Sequence, residues 1–180
     1  MAGDGNANQF VIEPLGAKHD RAAFSCGVDS LDVYLRKQAG QDLKKHTAVS
    51  FVLTSDGKTI AGYYTLSQYA VQLENVPEHL AKKLPKYPMV PTTLIGRLAV
   101  DSASRGQRHG ETLLMDALYR ICRHGRELAS AGAVVDAIDA AAIAFYEKYG
   151  FLKLPKVPNR LFLPMATIEE LFQDKEGEQE

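Results

Sequence analysis

The stretch Leu94-Ile95-Gly96-Arg97-Leu98-Ala99-Val100-Asp101, continued by Ser102-Ala103-Ser104-Arg105-Gly106-Gln107-Arg108-His109-Gly110, decides the fold of this chain. Thr92–Asp101 is a long apolar run of strand type, and Ser102–Arg108 is a polar turn. From about Gly110 to Ser130, Leu113, Leu114, Ala117, Leu118 and Ile121 share one face of a helix. The first N–H groups of such a helix have no helical partners, and the helix dipole adds positive potential there. Glycines allow close backbone approach to a ligand. The loop Arg105–Gly110 therefore suits a bound phosphate or pyrophosphate, with Arg105 and Arg108 adding charge. An ordinary capped surface turn has the same composition, and the spacing matches neither the Walker A nor the dinucleotide pattern.

Downstream, Ala133–Ala137 is an apolar strand apart from Asp136. Asp139 then starts a helix that ends at Gly150: Asp is a good N-cap, the alanines favour helix, and glycine suits the stop. Phe151–Leu154 and Arg160–Met165 read as two closing strands, and Thr167–Phe172 as a last short helix. Upstream, Phe10–Pro14 reads as a strand, Asp29 to about His46 as a helix, and Ala48–Thr54 and Thr59–Ser67 as a strand pair joined by the turn Ser55–Lys58. Val76–Lys83 is a short helix with Pro77 in its first turn, and Pro85, Pro88 and Pro91 mark an irregular connection. The order is that of a single α/β (α+β) domain with one mixed, mostly antiparallel sheet flanked by helices, spanning 10–173.

The 180 residues carry a net charge of −1, with 46% apolar and 24% charged residues, as in an ordinary globular domain. Residues 1–9 are small and polar, a flexible arm rather than a leader peptide, and no run of about eighteen apolar residues offers a membrane span. Cys26 and Cys122 are far apart and outside any metal spacing, which fits reduced thiols in the cytoplasm. His109 and His124 are isolated, so no metal site is expected. Asp174–Glu180 holds four acids and one lysine and reads as a disordered tail, which leaves the rest of the chain net positive.

Two motifs in this order resemble the GNAT acetyltransferases. Arg105-Gly106-Gln107-Arg108-His109-Gly110 is similar to that family's acetyl-CoA pyrophosphate loop, with Arg105 at its first position and Gly110 at its last. Arg108 stands where glycine is usual and either clasps a phosphate or faces solvent. Asp139-Ala140-Ala141-Ala142-Ile143-Ala144-Phe145-Tyr146-Glu147-Lys148-Tyr149-Gly150-Phe151 resembles the family's ending, with Asp139 in place of the usual Asn. The resemblance implies acetyl-CoA as donor. It places Leu98, Ala99 and Val100 along the pantetheine arm with an N–H for the thioester oxygen, and Asp139 and Phe145 beside the cofactor. Tyr146 becomes the acid that protonates the departing thiolate. A phenol with a reference pKa of about 10 is protonated at neutral pH and suits that step. Read without the resemblance, the aromatic helix end is core packing.

A narrower resemblance, to the toxin acetyltransferases of type II toxin–antitoxin pairs, rests on Phe24–Leu35, Ala61–Ser67, Val76-Pro77, Gly96–Asp101 and Val134–Ala137. It implies acetylation of the amino group of aminoacyl-tRNA by direct transfer in a ternary complex. It also implies a ribbon-helix-helix antitoxin and a homodimer. Three groups of cations could hold tRNA phosphates or be solvated faces: Arg36, Lys37, Lys44 and Lys45; Lys82, Lys83 and Lys86; and Arg120, Arg123, His124 and Arg126. The alternatives are a GNAT enzyme for a small amine or protein N-terminus, and a silent module that binds CoA or a partner; an acidic acceptor pocket would favour a polyamine, and the sequence leaves open whether Asp136 or Glu74 helps form one.

Overall fold

Runs of β-branched and aromatic residues build one seven-stranded sheet in the order β1-β2-β3-β4-β5-β7-β6, with β5 and β7 buried along most of their length. The structure, a computed structural model, describes residues 9–176. The strands are β1 (Val11–Pro14), β2 (Val49–Thr54), β3 (Gly62–Gln72), β4 (Met89–Val100), β5 (Gly132–Asp136), β6 (Leu152–Lys153) and β7 (Arg160–Pro164). The helices are α1 (Asp29–Val33), α2 (Ala39–Lys44), α3 (Glu78–Ala81), α4 (His109–Leu128), α5 (Ala140–Lys148) and α6 (Met165–Glu176). β4 and β5 run parallel, while the β1–β2, β5–β7 and β6–β7 pairs are antiparallel.

The chain divides into two compact units: residues up to Thr65 with Arg97–Leu114, and Leu66–Gly96 with the residues from Met115 onward. The first has a core of Leu15, Phe24, Tyr34, Leu35, Val52, Ile60, Tyr63 and Ala99. Its aromatic rings interlock, with Phe24 edge-on to Tyr63 at 5.4 Å and Tyr34 stacked near Tyr63 at 6.5 Å. The Arg97 guanidinium lies 3.5 Å over the Tyr34 ring, and the Tyr34 hydroxyl donates to Asp42 at 2.8 Å. The second unit packs Val71, Val76, Val90, Val134, Leu154 and Phe162. Its ladders set Val134 opposite Phe162 and Asp136 opposite Arg160.

Several boundaries depart from expectation, each with a local reason. The helix read across Asp29–His46 is three pieces, because Tyr34–Gln38 forms wider π turns between α1 and α2. Close packing accompanies the break, since a Cβ on Gly40 would meet the Arg21 guanidinium at 3.1 Å. β3 starts at Gly62, not Thr59, because the Asp56 carboxylate captures the Lys58 and Thr59 N–H groups and the Thr59 hydroxyl. Pro91 lies within β4, ahead of the ladder to β5 that opens at Thr93, and gives only its carbonyl, to the Ala131 amide. α6 begins at Met165 and runs to Glu176, so Asp174–Glu176 are helical rather than part of a disordered tail. Residues 177–180 and 1–8 lie outside the described residues.

Gly62 marks the tightest backbone approach in the first unit. A Cβ there would meet the Ala99 carbonyl oxygen at 2.9 Å and Leu113 Cδ1 at 2.8 Å. Gly62→Ala is therefore expected to lower stability by about 1–3 kcal/mol, the usual cost of overpacking, read from the denaturant midpoint at unchanged slope.

Candidate active site

β4 outruns its neighbour. The β4–β5 ladder pairs Thr93 with Ala133, Leu94 with Val134 and Ile95 with Val135, while β4 continues to Val100. Leu98 and Val100 are half-buried and Ala99 is buried. The chain then turns through a single 3₁₀ turn, Ser102–Ser104, capped by the Asp101 carboxylate, which accepts from the Ala103 N–H at 2.8 Å. Arg105, Gly106, Gln107 and Arg108 follow, all exposed, and α4 begins at His109.

This loop presents backbone. Gly106 takes φ 80°, and a Cβ added there would meet nothing within 4 Å, so the peptide faces open space. Arg108 takes φ 58°, the left-handed region that glycine occupies without strain. An arginine held there costs about 1–2 kcal/mol of backbone energy. The glycine-type conformation of the family's loop is thus kept by a residue that adds a guanidinium. The Arg105 side chain turns back and donates from Nη2 to the Cys26 carbonyl at 2.6 Å. The twenty-residue α4 directs its first N–H groups into this loop. Exposed amides, a helix N-terminus and Arg108 are the donor set that a pyrophosphate requires.

His109 closes the loop from beneath. It is 7% exposed, its ring centroid lies 4.5 Å from that of Phe10, and its buried Nε2 has no hydrogen-bond partner among the described residues. Burial lowers its pKa below the ordinary imidazole value. Its role here is packing.

Asp139, Phe145 and Tyr146 belong to the second unit. Asp139 caps α5, accepting from the Ala142 N–H at 2.8 Å, so the carboxylate that replaces the usual Asn performs a helix cap. Tyr146 is 7% exposed, with ring centroids of Phe145 and Phe151 at 5.2 and 5.4 Å. Burial among these rings pushes the phenol up to about 12, so it stays protonated throughout the physiological range.

The sequence reading missed Tyr69 and Arg160. Arg160 holds Asp136 through two bonds, Nε to Oδ1 at 2.6 Å and Nη2 to Oδ2 at 2.9 Å, and donates from Nη1 to the Tyr69 hydroxyl at 2.6 Å. Beside this group lies a cavity of about 280 Å³, lined by Tyr69, Val71, Gln72, Met89, Leu154 and Arg160 among others. Asp136 is thereby engaged at both oxygens by Arg160, while Glu74 is exposed with no ion-pair partner among the described residues. The strand pattern marks Asp136 and Arg160 individually, but only the β5–β7 register brings them opposite each other.

The three basic groups also separate. Arg36, Lys37, Lys44 and Lys45 are exposed, and none has an ion-pair partner among the described residues. On α4, by contrast, Arg120 pairs with Asp116 at 2.8 Å and Arg126 with Glu169 at 3.7 Å. Lys82 is bridged to Glu78 at 3.3 Å. Among the described residues no group of histidines, cysteines and carboxylates could hold a metal, and no helix is long and apolar enough to cross a membrane.

Two measurements check the loop. Arg108→Gly is expected to melt at or above the wild type, because the left-handed strain is relieved, yet to bind acetyl-CoA more weakly through loss of the guanidinium. Burial disfavours the charged form of His109 in the folded chain, whereas the unfolded chain takes up a proton below about pH 6.5. Its lowered pKa therefore removes stability as pH falls from about 6.5 toward the folded value. Between pH 7 and 5, the melting temperature of the wild type is expected to fall further than that of His109→Leu.

The chain is similar to known proteins over most of its length. The model of the acetyltransferase (GNAT) family matches residues 18–151. A probable toxin TacT of Sinorhizobium fredii is 33% identical over 181 residues, covering 96% of this chain and 99% of the relative. A tRNA-acetylating toxin of Mycobacterium tuberculosis is 33% identical over 155 residues, covering 86% and 92%. Among solved structures, AtaT complexed with acetyl-methionyl-tRNAfMet superposes with a TM-score of 0.84 at 29% identity, covering 92% of this chain and 100% of that one. With its loop, its capped α5 and a family match across most of its length, the chain belongs to the acetyltransferase (GNAT) family.

Proposed function

We propose that this protein is a toxin that transfers the acetyl group of acetyl-CoA to the amino group of aminoacyl-tRNA and so blocks translation. The observation that carries the reading is near-full-length similarity to toxins of this kind, joined to a loop built for a pyrophosphate. Exposed, unpaired Arg36, Lys37, Lys44 and Lys45 supply a face for tRNA phosphates, and binding through them would weaken steeply with salt.

The roles follow from the chemistry. The loop amides and Arg108 anchor the donor's pyrophosphate, with Gly106, Gln107, His109 and Gly110 shaping the loop around it. β4 from Leu98 to Val100 lies along the pantetheine arm, and an N–H there receives the oxyanion. The acceptor nitrogen attacks the thioester carbon directly. The tetrahedral intermediate then loses the nitrogen's extra proton to water and collapses, the C–S bond breaks, the Tyr146 hydroxyl protonates the thiolate, and water returns a proton to the tyrosinate. An α-amino group has a reference pKa of about 7.7–8.0, so a useful fraction is neutral at cytoplasmic pH without a dedicated base. A polyamine or lysine amine, near pKa 10.4, would need one. With Asp136 committed to Arg160, this favours an aminoacyl acceptor over a polyamine. A ribbon-helix-helix antitoxin, a homodimeric state and a cytoplasmic location complete the proposal.

Labelled acetyl-CoA offered with charged tRNA, deacylated tRNA and polyamines in parallel tests it. Label is expected on charged tRNA alone. Tyr146→Phe, which loses only the hydroxyl, is expected to keep acetyl-CoA affinity and to lose at least about 100-fold in kcat, the usual worth of a general acid. Label on polyamines alone would move the protein to the small-amine acetyltransferases. Full activity in Tyr146→Phe would remove the phenol from the mechanism.

A further inference from the structure

Phe24–Val28 belongs to neither strand nor helix, yet it is the most densely tied turn of the first unit. Asp32, in α1, is 7% exposed and has no ion-pair partner among the described residues. A carboxylate buried without a cation is costly unless hydrogen bonds replace its water. Its Oδ1 accepts from the Cys26 N–H at 2.9 Å, and its Oδ2 lies 3.5 Å from the Ser25 hydroxyl. From that turn three bonds reach the segment leading into the cofactor loop. The Ser25 N–H donates to Asp101 Oδ2 at 3.0 Å, the Ser25 carbonyl accepts from the Ser102 N–H at 2.8 Å, and the Cys26 carbonyl accepts from Arg105 Nη2 at 2.6 Å. The other oxygen of Asp101 caps the 3₁₀ turn between them.

Gly27 completes the arrangement. It takes φ 87°, and a Cβ there would stand 3.1 Å from Arg105 Nη2. Any side chain at position 27 would strain the turn and press on the guanidinium that clamps it. Cys26 is no nucleophile in this setting, since burial first and Asp32 second push its thiol up to about 11.

We propose that Asp32 and the Ser25–Gly27 turn form a brace that fixes the loop before acetyl-CoA arrives, making Asp32 and Gly27 positioning residues for the donor. The proposal rests on the reading that Arg105–Gly110 holds the donor's pyrophosphate. Backbone N–H groups bind an anion well only when they already converge, and ordering a loose glycine-containing loop on binding lowers affinity. Arg105 acts from the brace side, through the Cys26 carbonyl, and leaves the direct charge on the phosphates to Arg108 and the amides.

The test compares acetyl-CoA with S-acetylpantetheine, which lacks the pyrophosphate, in the wild type, Asp32→Ala, Asp32→Asn and Gly27→Ala, with charged tRNA as acceptor. Asp32→Ala and Gly27→Ala are expected to raise KM for acetyl-CoA about tenfold while kcat stays within about twofold and kcat/KM for S-acetylpantetheine is unchanged. Asp32→Asn keeps an oxygen for the Cys26 N–H and is expected to recover most of the affinity. An acetyl-CoA KM within about twofold of wild type in Gly27→Ala, or equal losses on both donors, overturns the brace. Gly27 is exposed, so its variant decides the matter if Asp32→Ala does not fold. A wild type that uses both donors equally well overturns the pyrophosphate-loop reading, and the brace with it.

Discussion

The first N–H groups of α4 have no carbonyl to pair with inside the helix, and the strand–loop–helix passage is organised around that deficit. β4 carries the chain past the end of its ladder with β5, Asp101 caps a single 3₁₀ turn, and Gly106 and Arg108 adopt positive φ. The left-handed φ of Arg108 costs conformational energy, and the end of β4 forgoes pairing with β5. Together with the helix dipole they make this end of α4 favourable for an anion. Held-back hydrogen-bonding capacity of this kind is what a donor-binding enzyme needs, because its phosphates provide binding while the thioester end undergoes reaction.

Much of this was legible in the sequence because its determinants are local. The apolar run Leu94–Val100, the helical spacing from Leu113 to Ile121, and an Asp before three alanines fix strand, helix and cap without reference to the rest of the chain. What stayed hidden depends on contacts distant in sequence or on competition for backbone groups. The π turns at Tyr34–Gln38 leave no periodicity signal, and the late start of β3 follows from one carboxylate, Asp56, outbidding the sheet. The pairing of Asp136 with Arg160 needs the β5–β7 register, and the link from Cys26 to Arg105 spans 79 positions. The helical state of Asp174–Glu176 was obscured by charge density, which reads as disorder when no packing partner is visible.

Three of the five segments that carry the narrower resemblance form one physical cluster. Phe24, Tyr34, Tyr63 and Arg97 come from Phe24–Leu35, Ala61–Ser67 and Gly96–Asp101, and they interlock through two aromatic contacts and one cation–π contact. That cluster supports the same β4 end whose residues Leu98–Val100 are assigned to the donor. The electrostatics point the same way. Where Arg120 and Arg126 of α4 pair with Asp116 and Glu169, Arg36, Lys37, Lys44 and Lys45 are exposed with no ion-pair partner among the described residues. Where a polyamine enzyme would hold an open carboxylate, Asp136 is already bonded at both oxygens.

The central claim is that the acetyl group ends on the amino nitrogen of the amino acid esterified to tRNA. Mass spectrometry of the 3′-terminal aminoacyl-adenosine, released by nuclease from charged tRNA after reaction with acetyl-CoA, reads that bond directly. This fragment is expected to gain the mass of one acetyl group, located on the amino acid, and deacylated tRNA is expected to gain none. An unchanged aminoacyl-adenosine, or an acetyl group found on the nucleotide instead, would contradict it.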